Sequence, residues 1–157
     1  MPTMVTRLLD LADQLAREGA RSSALRRRAV STAYYAVFHA LAKSSAGTLL
    51  SSAERNSDVY QRVYRALDHG SLRTAFTAGQ SPLKHRERLQ KIGELVVQLQ
   101  SERYHADYMP PIKGLFSRAK VEALVSQARQ AVVEIENLGD NDRVALATSL
   151  LFKSRSQ

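Results

Sequence analysis

Apolar side chains recur along this chain every third or fourth position, which is the spacing of one face of an α-helix. The first such segment runs from about Thr3 to Glu18 and stops at Gly19. A second opens at Ser22 or Ser23, both good N-cap residues, and continues to about Ser45, ahead of Gly47. The spacing predicts a third helix from about Ser57 to His69, closed by Gly70, with SLRTAFTAGQSP after it as a connector holding a short helical turn. A fourth helix is expected from Pro82, a residue suited to a first turn, to about Asp107, where MPPIKG breaks the pattern. The fifth spans about Ser117 to Leu138, with Leu124, Ala128, Ala131, Ile135 and Leu138 on one stripe. Asp140 then caps a short last helix, and the tail after about Phe152 is expected to fray. Five or six helices account for nearly the whole chain, and no strand pair, repeat or low-complexity tract interrupts them. The fold class is all-α.

The second helix departs from the usual amphipathic pattern. In RRRAVSTAYYAVFHALAKSS, Arg26 to Ser45, the residues Val30, Tyr34, Val37 and Leu41 form a narrow stripe flanked by Ala33 and Phe38. The opposite side holds Arg28, Thr32, Tyr35 and His39, with Ala29, Ala36 and Ala40 at one margin and Ala42 at the other. No Glu, Lys or Gln stands between Val30 and Ala42, so the helix is expected to be buried nearly all round. Small alanines admit another backbone closely, which makes Arg28, Tyr35, Ala36, His39 and Ala40 a candidate dimer seam. The alternatives are a contact with a helix of the same chain, and a ligand held by Arg28, Tyr35 and His39.

At 157 residues the chain suits a single domain. Its 23 Lys and Arg against 15 Asp and Glu leave a net charge of +8, which favours a polyanionic partner or serves only as solubilising surface charge. Arg26, Arg27 and Arg28 cluster at a helix start, where the macrodipole disfavours cations, so an anion nearby is one candidate reason for them. There is no cysteine, which excludes disulfides and thiolate metal sites. The charged, amphipathic N-terminus lacks the apolar run of a secretory signal, and no stretch reaches the roughly 20 apolar residues of a membrane span. The expected location is the cytoplasm, with no membrane association.

Two segments carry candidate chemistry. In DVYQRVYRALDHG, a continuous helix would bury Tyr60, Val63, Tyr64 and Leu67 and gather Arg62, Arg65 and His69 within about 60° of one another. Two guanidiniums beside an imidazole suit metal-independent phosphodiester cleavage, the histidine moving protons and the arginines offsetting charge on the phosphate. The bland reading is a solvated face with a histidine near a helix C-terminus. In QSERYHADYMPP, Arg103 falls on the core-facing line of Leu89, Ile92, Val96 and Leu99 and therefore needs a partner. Asp107, one turn later, is the simplest; a bound phosphate is the sharper alternative. His105 points elsewhere and is expected to be exposed. No nucleophile motif, P-loop, dinucleotide turn or HExxH occurs, and neither a metal nor a cofactor is expected.

Taken together, RRAVSTAYYAVFHALA, YRALDHG and LQSERYHADY, spanning about Ser22 to Tyr108, resemble the HEPN superfamily. These small helical proteins accompany nucleotidyltransferases in bacterial and archaeal toxin–antitoxin and defence loci. The resemblance implies an up-and-down bundle of four or five helices, usually dimeric, and in many members a metal-independent ribonuclease with its active sites at the dimer cleft. Nuclease members carry Arg, four to six residues, then His. Arg62 and His69 match with six between, whereas Arg65 is too near. The family's motif more often lies in a later helix, and Arg103 has no histidine at that distance downstream.

The combined expectation is an all-α, HEPN-like, up-and-down bundle of four to six helices, one domain over residues 1–157 with its core at about 22–138. The leading function is that of a homodimeric endoribonuclease cutting RNA through Arg62, Arg65 and His69, with a nucleotidyltransferase-type antitoxin as a further partner. The alternative is a non-catalytic module that binds nucleic acid or a partner protein.

Overall fold

The structure, a computed structural model, describes residues 2–50, 54–79 and 81–153. The described residues form seven α-helices, more than the expected four to six, and no strand. They are α1 (Met4–Glu18), α2 (Ser23–Leu49), α3 (Asp58–Tyr64), α4 (His69–Thr77), α5 (Glu87–Tyr108), α6 (Arg118–Glu136) and α7 (Asp140–Leu151). Most of the tail expected to fray lies outside the described residues. No described helix is long and apolar enough to cross a membrane.

The additional helix arises where the periodicity predicts a longer α3. Ser57 caps α3 as expected, its hydroxyl accepting from the Tyr60 amide at 3.2 Å, but the helix ends at Tyr64. Asp68 then starts α4: one carboxylate oxygen accepts from the Ser71 amide at 2.7 Å and the other from the Ser71 hydroxyl at 3.0 Å. A short acceptor that satisfies an otherwise unpaired helix N–H competes directly with propagation of the preceding helix. The segment expected as a connector is thus mostly helix. Similarly, Pro82 opens only a 3₁₀ turn, Pro82–His85, and the extended backbone of Arg86 separates it from α5. Helix α2 instead runs past Gly47 to Leu49, since one helical glycine costs only about 1 kcal/mol.

Loss of the Asp68 cap gives a direct check. Asp68→Ala is expected to lower stability by about 1 kcal/mol in a urea titration near neutral pH. The Ser71 backbone N–H holds the Asp68 carboxyl below its ordinary range. Its folded pKa being depressed, the contribution is full above the unfolded value of 3.8 and is lost as pH falls through the folded one. The difference between wild type and variant should therefore shrink in acid.

The chain divides into two compact units, residues 1–39 with 95–133, and residues 40–94 with 134–157. In the first unit, Val5, Leu9, Ala12 and Ala16 form the buried stripe of α1. Arg129 of α6 bridges to Asp10 at 2.9 Å and to Asp13, and Lys120 of α6 pairs with Glu102 of α5 at 3.2 Å. Gly19 is not a left-handed stop; its φ is −74°. It is required for space, because a Cβ there would come within 2.8 Å of Arg26 Cγ. In the second unit α4 packs on the start of α5, where a Cβ at Gly93 would come within 2.6 Å of the Phe76 ring. Arg86 pairs with Asp142 of α7 at 2.9 Å.

Candidate functional site

The triple arginine at the start of α2 finds its partners in backbone carbonyls. Arg26 donates to Gly19 O at 2.7 Å and Phe116 O at 2.8 Å. Arg27 donates to Ala106 O at 3.2 Å, Met109 O at 2.5 Å and Pro110 O at 3.0 Å. Gly19 O lies just beyond α1 and the three acceptors of Arg27 lie at the C-terminus of α5, where helices leave unpaired carbonyls and a negative dipole end, whereas Phe116 O belongs to the loop before α6. The two arginines therefore sit at an unfavourable position of their own helix because they serve the ends of two others. Arg28 alone of the three is exposed.

Further along, Ser31 donates to Asp107, which pairs with Arg103 at 3.6 Å. The Arg103 side chain is 11% exposed and that of Asp107 22%, while Asp107 as a whole residue is exposed, so the expected ion pair forms with its cation largely buried. The Arg103 guanidinium also lies over the Tyr34 ring, 5.2 Å from its centroid, while its Nε has no acceptor among the described residues. Tyr34 is fully buried, and burial is the main cause that pushes its hydroxyl up to about 12; the Arg103 charge and a hydrogen bond with Gln100 oppose the shift.

These contacts align α2 and α5 antiparallel: Arg27 meets residues 106–110, Ser31 meets Asp107 and Tyr34 meets Arg103. A step of one residue turns a helical side chain by about 100°. In two antiparallel helices, that step from the contact line leads to the same side of the pair. Arg28, Thr32, Tyr35 and His39 on α2 thus share a side with Tyr104 and Tyr108 on α5. Tyr104 and Tyr108 are 57% and 66% exposed, with ring centroids 5.1 Å apart. Arg28 is exposed, and Thr32, Tyr35 and His39 are half-buried. Burial lowers the His39 pKa, which disfavours a positive charge on that ring.

The seam expected from sequence is narrower in the structure. Ala36 and Ala40 are 0% and 4% exposed within a single chain and offer no surface to a second copy. A glutamate at either position would break the chain's own core. Arg28, Tyr35 and His39 do keep part of their surface. Sequence reasoning misses Tyr104 and Tyr108; their signal is two aromatics at i, i+4 on the side of α5 away from its apolar stripe. His105, expected to be exposed, is half-buried.

The Arg62, Arg65 and His69 group does not share a helix. Arg62 lies in the last turn of α3, Arg65 caps its C-terminus, and His69 is the first residue of α4. The common face that motivates this group requires a continuous helix through Asp68, which the Asp68 cap ends. Both arginines are exposed and His69 is half-buried. Among the described residues no group of three or more His, Asp or Glu side chains is placed to hold a metal ion. Comparison with known proteins finds no matching family model, no matching curated protein and no matching solved structure.

Proposed function

We propose that this protein is a HEPN-like helical module that binds single-stranded RNA on the outer face of α2 and α5 without cutting it. The observation that carries the reading is the exposed pair Tyr104 and Tyr108 on the same side as Arg28. Exposed aromatic rings accept unstacked bases, and a guanidinium beside them serves phosphate or stacks in turn. The net charge of +8 favours a polyanion over a second, equally charged copy on this face. The homodimer and the nucleotidyltransferase-type partner implied by the resemblance fit this reading where they leave the face open. Cleavage loses the single helix face that motivated it, because Arg62 and His69 belong to different helices.

The test is fluorescence anisotropy with a short labelled single-stranded RNA in EDTA, followed by analysis of the RNA. Wild type should bind with a steep salt dependence and leave the RNA intact. Tyr104→Ala and Tyr108→Ala should each weaken binding by about 1–3 kcal/mol, the value of one stacked base, without lowering the melting temperature. Absence of binding at low salt would refute the proposal. New 2′,3′-cyclic phosphate ends, lost in His69→Ala, would return the function to Arg62, Arg65 and His69. A concentration-dependent dimer in light scattering that Tyr104→Ala dissociates would assign the face to a second copy.

A further inference from the structure

The unit of residues 40–94 and 134–157 contains a cleft of about 790 Å³ between α4, the 3₁₀ turn and the last turn of α7. That volume lies within the range of small-molecule sites. Ser71, Thr74, Ala75 and Ala78 recur at helical spacing on the α4 side, and their small side chains leave the space open. Its deepest residues are apolar: Ala75 and Leu150 are 6% and 1% exposed. Phe152, 63% exposed, adds an aromatic ring to the lining.

The polar groups around this space are mostly acceptors. Three hydroxyls have committed their hydrogens to the chain itself: Ser71 donates to Asp68 at 3.0 Å, Ser81 to Ala75 O at 2.5 Å and Thr148 to Val144 O at 2.9 Å. A hydroxyl has one hydrogen and two lone pairs, so as placed these groups can only accept from a ligand. Ser149 Oγ, on the α7 side, is buried with no hydrogen-bond partner among the described residues, an arrangement that costs free energy until a partner arrives. Asp68 accepts from the Ser71 amide and hydroxyl, which leaves further lone pairs on its two oxygens. No Lys, Arg or His stands in the last turn of α7, so nothing within that helix answers its negative dipole end. Lys153 is the one cation in the lining; it is exposed and forms no ion pair among the described residues. This acceptor-rich lining runs against the chain's net charge of +8.

We propose that the cleft binds a small organic ammonium ion with an apolar body, its N–H groups donating to Asp68 and the neighbouring hydroxyl oxygens and its body lying against Ala75, Leu150 and the Phe152 ring. An ammonium group carries three donors and no acceptor, the complement of what these residues offer. A carboxylate on the same body finds only Lys153 as a charged partner and is repelled by Asp68.

The experiment is isothermal titration of the full chain with 2-phenylethylamine, with 3-phenylpropionate in a parallel arm. The two share a ring and a two-carbon spacer and differ in the sign of their charge. Nonspecific attraction to a chain of net charge +8 favours the anion, so preference for the amine reports the cleft. The amine should bind saturably and the carboxylate should not. D68N keeps a capping oxygen but removes the charge, and should weaken the amine about 10- to 100-fold, the loss of one charge-assisted hydrogen bond. T74W places an indole in the cleft from an exposed helix position, and should abolish binding while leaving the circular dichroism spectrum and melting temperature intact. K153A should tighten it. No saturable amine binding by wild type, phenylpropionate binding as tight as the amine, or equal amine binding by wild type, D68N and T74W would each overturn the proposal. So would loss of amine binding on Tyr104→Ala, which would place the ligand on the α2–α5 face.

Discussion

Replacing Asp107 with alanine is expected to cost about 3 kcal/mol of stability, the low end for removing the partner of a largely buried cation. Arg103 would keep its charge at 11% side-chain exposure with its nearest carboxylate gone, and its Nε already lacks an acceptor among the described residues. Ser31, 2% exposed, would lose its acceptor in the same step. For a chain of 157 residues the melting temperature should fall by roughly 6–12 °C. The loss belongs to the uncompensated charge more than to the missing contact. The double variant Asp107→Leu with Arg103→Met, which removes both charges, should therefore recover a large part of it. Urea unfolding of wild type, Asp107→Leu, Arg103→Met and the double variant closes the cycle. A single variant as stable as wild type would mean that water reaches Arg103 freely.

The second large effect concerns Tyr34 in alkali. Its hydroxyl pKa is pushed up to about 12 from 10.0, chiefly by burial. The folded state thus holds the proton more tightly than the unfolded chain. This contribution is fully present below pH 10 and is lost as pH rises toward 12. Over that interval the shift amounts to about 3 kcal/mol, since one unit corresponds to 1.36 kcal/mol. Tyr34→Phe should accordingly be less stable than wild type near neutral pH, where the hydroxyl is hydrogen-bonded, yet lose less stability on going into alkali. Unfolding midpoints at a series of pH values, together with the ultraviolet absorbance of ionised tyrosine, report both quantities. Parallel pH curves for the two proteins would rule out Tyr34 as the residue responsible.

Several features are legible in the sequence alone, and each depends on residues a few positions apart. The stripe Leu124, Ala128, Ala131, Ile135 and Leu138 is buried as its period requires. Thr3, Ser22 and Ser57 accept hydrogen bonds from amides three residues on, as residues of their type do before helices. Arg103 and Asp107 pair because i, i+4 spacing brings them together on any helix. The extent of α3 is the instructive failure among these local features. Continuing the helix and capping a new one at Asp68 differ by about the value of one cap, so the apolar period of Tyr60, Val63, Tyr64 and Leu67 could not decide between them.

What the sequence determined by itself was the helical class, most helix positions and the pairs closed within one turn, because period and capping act over short separations along the chain. The destinations of Arg26 and Arg27 were decided only by tertiary structure, since the carbonyls they reach include those of Phe116 and Pro110, 90 and 83 positions away. The same holds for the side shared by Arg28, Tyr104 and Tyr108 and for the burial of Ala36 and Ala40. An uncharged helix face states only that water is excluded from it. Whether a helix of the same chain, a second copy or a ligand does the excluding depends on which elements meet, and that is set by the packing of segments far apart in sequence.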